Sequence, residues 1–470
     1  MKPYIFVLIF VLLAAGGAQG NEQPAAAARD LSGIKTLDLA TAQGIALKDN
    51  PSMAAAMARV RQARARVRQA AAAWWPSLDL SVSGSHVRLP DSFLLLSSAA
   101  ASYPQSGGQS YDEYTAGIQA AWVLFDGFYR SFNRQQASFG EKSARDARRD
   151  ARRLLISAVA RAFLNAQLAQ TKVRIARADK NFYDQQLRDA ENRYKVGTGA
   201  WGDVLNIKVQ INSAKTSLML AAREFEAAGY GLAALLGLPG AVLPPGLDLA
   251  PLNRNLDTGG HEENPEPLIA EALARRPDVQ RLEMQLHGSE AATGAARAPF
   301  YPKLQLAGAV NGVRLGDAAL SSEDFGNTVS LNLAWNLFAG GADRARLFAA
   351  RQKQRETGFT LADLRNRVAA EIRQDIARLA AAREQVRLQR DSVKLVAENR
   401  DLAKNEYEAG EASLVRLNEA QRDLTTTHSR LAQALVAFHL ARQNLLAATG
   451  RNLARFEKQT GTPANNGPEK

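Results

Sequence analysis

The chain has few side chains placed for chemistry on a substrate. Its five histidines, His86, His261, His287, His428 and His439, are scattered, and it contains no cysteine. No Ser/His/Asp arrangement, metal-ligand spacing or glycine-rich phosphate loop is present. His428 and His439 sit at a spacing that shares a helix face, where an ordinary helical histidine is the simpler reading. The expectation is therefore no catalytic residue, no metal ligand and no cofactor. Without cysteine there are also no disulfides, no thiolate chemistry, and no acylated cysteine of the kind that follows a lipoprotein leader.

What does recur is a set of aromatic and glycine landmarks. Trp122-Val123-Leu124-Phe125-Asp126-Gly127 matches Trp335-Asn336-Leu337-Phe338-Ala339-Gly340 at an offset of 335 − 122 = 213. The same offset carries Tyr194-Lys195-Val196-Gly197 onto Tyr407-Glu408-Ala409-Gly410, and Gly237 onto Gly450. Upstream the offset is 226, since Pro51 matches Pro277 and Trp75-Pro76 matches Tyr301-Pro302. The difference, 226 − 213 = 13, is an insertion between Pro76 and Trp122, and a length change is tolerated where the chain is exposed. Residues 90 to 110, with Pro90, Pro104, Gly107, Gly108 and many serines, are the predicted loop, on the extracellular side.

The elements that position these landmarks follow from local periodicity. Lys2, an apolar core from Tyr4 to Leu13 and the small residues up to Gly20 read as an export leader over 1–20. A first repeat is expected over 21–250, a linker over 251–265, a second repeat over 266–453, and a C-terminal tail over 454–470. Ala40 to Ala73 has helix composition, and Trp75-Pro76 stops it. Leu78, Leu80 and Val82 then alternate with Asp79, Ser81 and Ser83, which predicts a strand. A second strand runs from about Tyr114 to Phe125. In the other repeat Leu304, Leu306 and Val310 oppose Lys303, Gln305 and Asn311. Val329, Leu331, Leu333, Trp335 and Leu337 then oppose Thr328, Ser330, Asn332 and Asn336.

After Gly127 and after Gly341 come proline-free stretches that predict two very long helices, with Ile372, Leu379, Val386 and Val393 spaced as a narrow coiled-coil seam. Gly197 and Gly410 stop them, and helices resume near Asp203 and Ser413 as antiparallel hairpins. No run reaches the roughly 20 apolar residues of a membrane-spanning helix, so an exported chain of this kind ends in the periplasm or in a β-barrel. Four half-apolar strands are too few for a closed membrane barrel, which needs at least about eight, so several chains must share one. The formal charge of +12 does not point to nucleic acid. The leader exports the chain, and Glu141, Asp146 and Asp150 lie three or four residues from arginines, as on solvated, ion-paired helix faces.

Trp-x-Leu-Phe-x-Gly after each strand pair, Tyr-x-x-Gly at each hairpin, and Gly197 followed by Asp203-Val204-Leu205 inside a tandem duplication resemble the TolC outer-membrane factor family from about Leu37 to Leu453. The resemblance implies a mainly α protomer with a small antiparallel β part. It implies a homotrimer whose twelve-stranded β-barrel lies in outer-membrane lipid of a Gram-negative cell and continues through the periplasm as a long α-helical barrel. The strand–helix junctions would be marked by Trp122, Phe125, Gly127, Trp335, Phe338 and Gly340. Hairpin tips at Gly197, Thr198, Trp201, Asp203, Gly410, Glu411, Leu414 and Arg416 would meet a periplasmic adaptor (membrane fusion) protein, itself seated on an inner-membrane pump of the ABC or resistance-nodulation-division type. Asp401, by register with Tyr407, would narrow the periplasmic aperture, although its plain reading is a solvated charge beside Arg400. Arg416 in the place of Asp203, with the acid displaced to Glu419, departs from the family pattern. The competing reading, a periplasmic coiled-coil adaptor, requires a single hairpin and no amphipathic barrel strands.

Overall fold

The computed structural model describes residues 35–88, 110–253, 263–454 and 456. The predicted leader, the loop before Ser110, and most of the linker and tail lie outside the described residues. In chain order the main elements are β1 (Thr36–Leu37), α1 (Leu39–Asp49), α2 (Pro51–Ala72), β2 (Ser77–Arg88), β3 (Ser110–Phe125), α3 (Tyr129–Lys195) and α4 (Trp201–Leu236). They continue with β4 (Asp248–Leu249), α5 (Pro265–Arg275), α6 (Pro277–Ala295), β5 (Lys303–Leu315), β6 (Phe325–Ala334), α7 (Ala342–Ala409) and α8 (Leu414–Ala448). The first residues of α1, α2 and β2 move onto those of α5, α6 and β5 by 226. Those of α3 and α4 move onto α7 and α8 by 213.

The helix read from Ala40 to Ala73 is two helices. Asn50 sits at ψ 123°, outside the helical region, because a residue before proline is driven there by the ring of Pro51. Arg276, before Pro277, has the same conformation at φ −67°, ψ 124°.

The described residues fall into two compact units. One comprises 35–52 and 158–253. In it β1 pairs in parallel with β4. The later part of α3 is tied to α4 by Lys172–Glu224 at 2.7 Å and Lys208–Glu191 at 3.5 Å. The other unit comprises 53–157 and 263–454. Its helical core is the α7–α8 hairpin. Leu361, Val368, Ile372, Leu379, Ala382 and Val386 are buried at steps of three, four and seven, as in a coiled-coil seam. Val393, expected in that seam, is only half-buried. At ~1.5 Å per residue, the 68 residues of α7 extend roughly 100 Å, three times a bilayer core.

The second unit also holds an antiparallel sheet ordered β2-β3-β5-β6. Its registers include Leu80 opposite Ile118, Ile118 opposite Val310, and Leu306 opposite Leu331. The last strand is shorter than its sequence suggests. The ladder ends at Lys303 opposite Ala334, so Trp335 and Leu337 lie beyond the strand. The next residue on the partner side is Pro302, which has no N–H to extend the pairing.

Candidate functional site: an apolar sheet face, its junction and the hairpin tips

Strict alternation sends the two kinds of side chain to opposite faces of the sheet, and the register makes each face continuous across all four strands. Leu78, Leu80, Val82, Ile118, Trp122, Leu306, Val310, Val329, Leu331 and Leu333 share one face. None of the described residues covers it: Leu78 is 74% and Val329 79% exposed. Ser81, Ser83, Thr115, Gln119, Asn311, Thr328, Ser330 and Asn332 share the other. A continuous exposed apolar face on a sheet whose two edge strands pair with no other described residues is suited to lipid, not to water.

The strand-to-helix junction is built by the landmark residues. Gly127 and Phe128 both adopt positive φ, 65° and 68°, and turn the chain from β3 into α3. A Cβ on Gly127 would stand 2.5 Å from the Ala298 carbonyl, so no larger residue fits. The Trp122 indole N–H donates to the Trp74 carbonyl at 3.0 Å, tying β3 to the end of α2. Phe125 meets Phe128 edge to face. Arg130, missed in the sequence, completes the clamp. It donates to Asp126 at 2.9 Å, to the Leu124 and Ala73 carbonyls at 3.1 and 3.3 Å, and lies 4.7 Å above the Trp74 ring. At the second junction Gly340 and Gly341 take φ 60° and 86° in open space, and Trp335 and Phe338 are exposed. The positions equivalent to Asp126 and Arg130 there are Ala339 and Asp343, which make no such clamp.

Both hairpin tips close with the same hydrogen bonds. Thr198 and Gly199 N–H donate to the Arg193 carbonyl at 2.9 and 3.1 Å, and Glu411 and Ala412 N–H donate to the Glu406 carbonyl at 2.8 and 3.2 Å. With Gly197 at φ 79° and Gly410 at φ 81°, each is a Schellman-type helix end. In the first tip exposed Trp201 packs 5.0 Å from the Tyr194 ring with Lys208 5.4 Å above it, and Asp203 is half-buried in the first turn of α4. Val196, Leu205 and Val209 are exposed apolar residues there, beyond the tip contacts expected from the sequence. Leu205 and Val209 stand one turn apart and off the buried Val204, Ile207, Ile211 stripe, which is the signal that marks them.

In the second tip Glu411 is exposed, and Arg416 pairs with Glu406 at 3.2 Å. Leu414, expected as a partner contact, is 5% exposed and belongs to the hairpin's own core. Asp401 is exposed and paired with Arg400 at 3.2 Å.

Away from these surfaces lies a buried charge cluster that local sequence did not reveal. Arg276, 4% exposed, donates through Nε and Nη2 to Asp278 at 3.1 and 2.8 Å, and through Nη1 to Glu371 and the Ala448 carbonyl. Arg153 donates to the Ala447 carbonyl at 3.1 Å and stands 3.6 Å from Asp278. Burial pushes the Asp278 carboxyl up, but the hydrogen bonds and charge of Arg276, with Arg153 behind, hold it below the usual range. Asp375, inside the α7 seam, moves the other way: burial and then Glu371 raise it, against Arg378. Burial, then Arg442, lowers His439. Among the described residues no group of His, Cys, Asp and Glu is placed to hold a metal ion.

With this geometry in hand, the comparisons with known proteins agree. The profile of the outer membrane efflux protein family matches residues 44–238 and 268–451. The chain is 26% identical over 409 residues to a pyoverdine export outer membrane protein of Pseudomonas aeruginosa, covering 86% of this chain and 83% of that one. It is likewise 26% identical over 412 residues to a cation efflux system protein of Escherichia coli, covering 85% and 82%. Among solved structures, the CmeC outer membrane channel of Campylobacter jejuni superposes with a TM-score of 0.76 at 17% identity, covering 90% of this chain and 89% of that one.

Proposed function

The chain belongs to the outer membrane efflux protein family, and from that premise we propose that three copies close their sheets into one barrel that serves as the outer-membrane exit duct of a tripartite efflux or type I secretion system. The observation that carries this is the sheet itself. Lipid tolerates neither open strand edges nor unpaired backbone groups, so β2 and β6 must each pair with another copy. Three sheets of four strands give 3 × 4 = 12. The apolar face then turns to lipid, and the Ser, Thr, Gln and Asn face lines a wet passage.

Transport through such a duct is passive. In this reading the tips around Gly197 and Gly410 meet a periplasmic adaptor through Trp201, Leu205, Val209 and Glu411, a role that their exposure supports. The adaptor in turn links the duct to an inner-membrane pump. Relatives named for pyoverdine, solvent and cation export all match at 26% identity, which supports placing cargo choice in the pump.

Light scattering in mild detergent should return a mass of three protomers, and the same material should conduct in planar bilayers. A water-soluble monomer would end this reading. On the same channel Asp401→Ala should weaken cation selectivity by removing a ring of three charges. Selectivity equal to that of the parent would place Asp401 away from the passage.

A further inference from the structure

The surface of the second unit carries a concentration of positive charge that neither its fold nor a passive duct requires. No acidic residue lies between Asp49 and Asp79, and α2 in that interval bears Arg59, Arg61, Arg64, Arg66 and Arg68, all exposed. The second repeat shows that the helix needs none of them. At the offset of 226 the same positions of α6 are Gln285, His287, Glu290, Ala292 and Gly294.

The arginines divide between two sides. Arg66 shares a groove with Asn133, Gln136 and Gly140 of α3. Those residues continue the side of Tyr129, which opens into the same cavity as the inward strand residues Ser77, Ala121 and Gln305. That is the passage side. Arg64 instead reaches Glu141 at 3.3 Å, around α3 from that groove. Arg61 and Arg68, three and four residues from Arg64, extend its flank, and exposed Arg134 lies on the same side of α3 as Glu141. This flank continues below the apolar face of the sheet.

Its height follows from helix geometry. Arg68 stands four residues before the end of α2 and Arg134 five residues into α3, so each lies roughly 6–8 Å along its helix from the end nearest the sheet at ~1.5 Å per residue. Trp122 marks the lower edge of the apolar face, where aromatic side chains sit at a headgroup layer. Arg68 and Arg134 are therefore within about one Debye length, ~8 Å, of that layer, with Arg64 one turn below.

Resting on the proposed orientation in the outer membrane, we infer that Arg64, Arg68 and Arg134 form a collar that binds anionic phospholipid headgroups, such as phosphatidylglycerol, of the periplasm-facing leaflet. Guanidinium groups bind phosphate oxygens in a two-pronged geometry, and one acid, Glu141, leaves the flank strongly positive. The passage-side pair Arg59 and Arg66 takes no part.

The test uses the assembled channel in vesicles of phosphatidylethanolamine and phosphatidylglycerol, with spin-labelled lipids reporting which is retained at the protein surface. The parent should enrich phosphatidylglycerol, and salt should weaken the effect. R64Q/R68Q/R134Q should lower that enrichment about fivefold or more, and R59Q/R66Q should leave it unchanged. No enrichment in the parent, or equal loss in both variants, overturns the collar. Lost binding to peptidoglycan sacculi with unchanged lipid enrichment overturns it in favour of the cell wall. Conductance measured in the same vesicles keeps the two readings apart: channels that insert and conduct without lipid preference refute the collar alone, and failure to insert refutes the duct.

Discussion

At the Asn50–Pro51 corner a neutral amide donates one hydrogen bond, 2.8 Å long, to the Leu235 carbonyl in the last turn of α4. At the equivalent Arg276–Pro277 corner a guanidinium reaches the Ala448 carbonyl, the residue 213 positions on from Leu235, and at the same time engages Asp278 and Glu371. The backbone problem is identical: a proline breaks a helix, and the broken end must be fastened to the end of another. The two repeats solve it with different physics. A neutral hydrogen bond has a net worth of about 1 kcal/mol and no dependence on pH. A buried ionic cluster adds little over an apolar replacement of the whole, yet is costly to break in part, because its remaining charges stay buried.

The largest expected effect separates the two corners. Arg276→Ala leaves buried Asp278 with Arg153, 3.6 Å away, as its counter-charge and takes the Arg276 guanidinium from Glu371, and should cost about 3–5 kcal/mol, read from the urea midpoint of the detergent-solubilised protein. Asn50→Ala removes the bond to the Leu235 carbonyl and the one Oδ1 accepts from the Ser52 N–H, both neutral, and should cost about 2 kcal/mol. Equal losses would show that the cluster works as one more hydrogen bond.

Acid sharpens the contrast. Asp278 is held below its ordinary value, so its contribution is complete above the unfolded-state value near 3.9 and is lost as pH falls through the folded value. Asp375 is raised, so its charge costs stability at neutral pH, and that cost is relieved as pH falls through its folded value. Asp278→Asn should therefore flatten the acid loss of stability, and Asp375→Asn should steepen it. The same change in slope from both would contradict the opposite shifts.

These corners also show where sequence stops being informative. Strands, long helices and hairpin tips were legible because each is written in a local period or a local stop, such as Leu78-x-Leu80-x-Val82 or Gly197 at positive φ. Pro51 and Pro277 were visible as well, but the helix composition on both sides of Pro51 masked the break at Asn50. The end of β6 at Ala334 depends on Pro302 in the partner strand, and the Arg276 bond to Ala448 joins residues 172 apart. Such pairings are decided by tertiary geometry, and nothing near Arg276 in the sequence announces them. The burial of Leu414 was missed for a related reason. The register of the seam must be carried around the tip, where Trp201 and Leu414 occupy equivalent places and only one faces solvent.

That pair supplies the next prediction. Leu414→Ala removes a buried side chain and should destabilise the second hairpin by about 2–4 kcal/mol. Trp201→Ala gives up a ring contact and a cation–π contact on the surface, for about 1 kcal/mol. Hydrogen exchange at each tip reads the difference directly. In adaptor binding the order should reverse, with Trp201→Ala the more damaging. If both variants bind the adaptor like the parent, the tips are not the contact.

The smallest effect tests how alike the tips are at a single atom. Ser413 caps α8 by accepting from the Arg416 N–H at 3.4 Å, a long bond. Its equivalent Ala200 holds nearly the same backbone, φ −86°, ψ 139° against φ −79°, ψ 154°, with no side chain to cap α4. Ser413→Ala should then cost at most about 0.5 kcal/mol, the low end for a lost cap. Ala200→Ser should gain a similar amount, because the extended conformation of a capping residue is already in place. At N3 of α4 stands Asp203, an acid that favours the positive helix end, whereas α8 has Arg416 there. The uncapped helix thus has charge in place of a cap, so the gain from Ala200→Ser should grow when Asp203 is replaced by asparagine only if the two act on the same N–H group. A double-mutant cycle on the exchange rates of the first turn of α4 decides it: additive effects mean that cap and charge act independently.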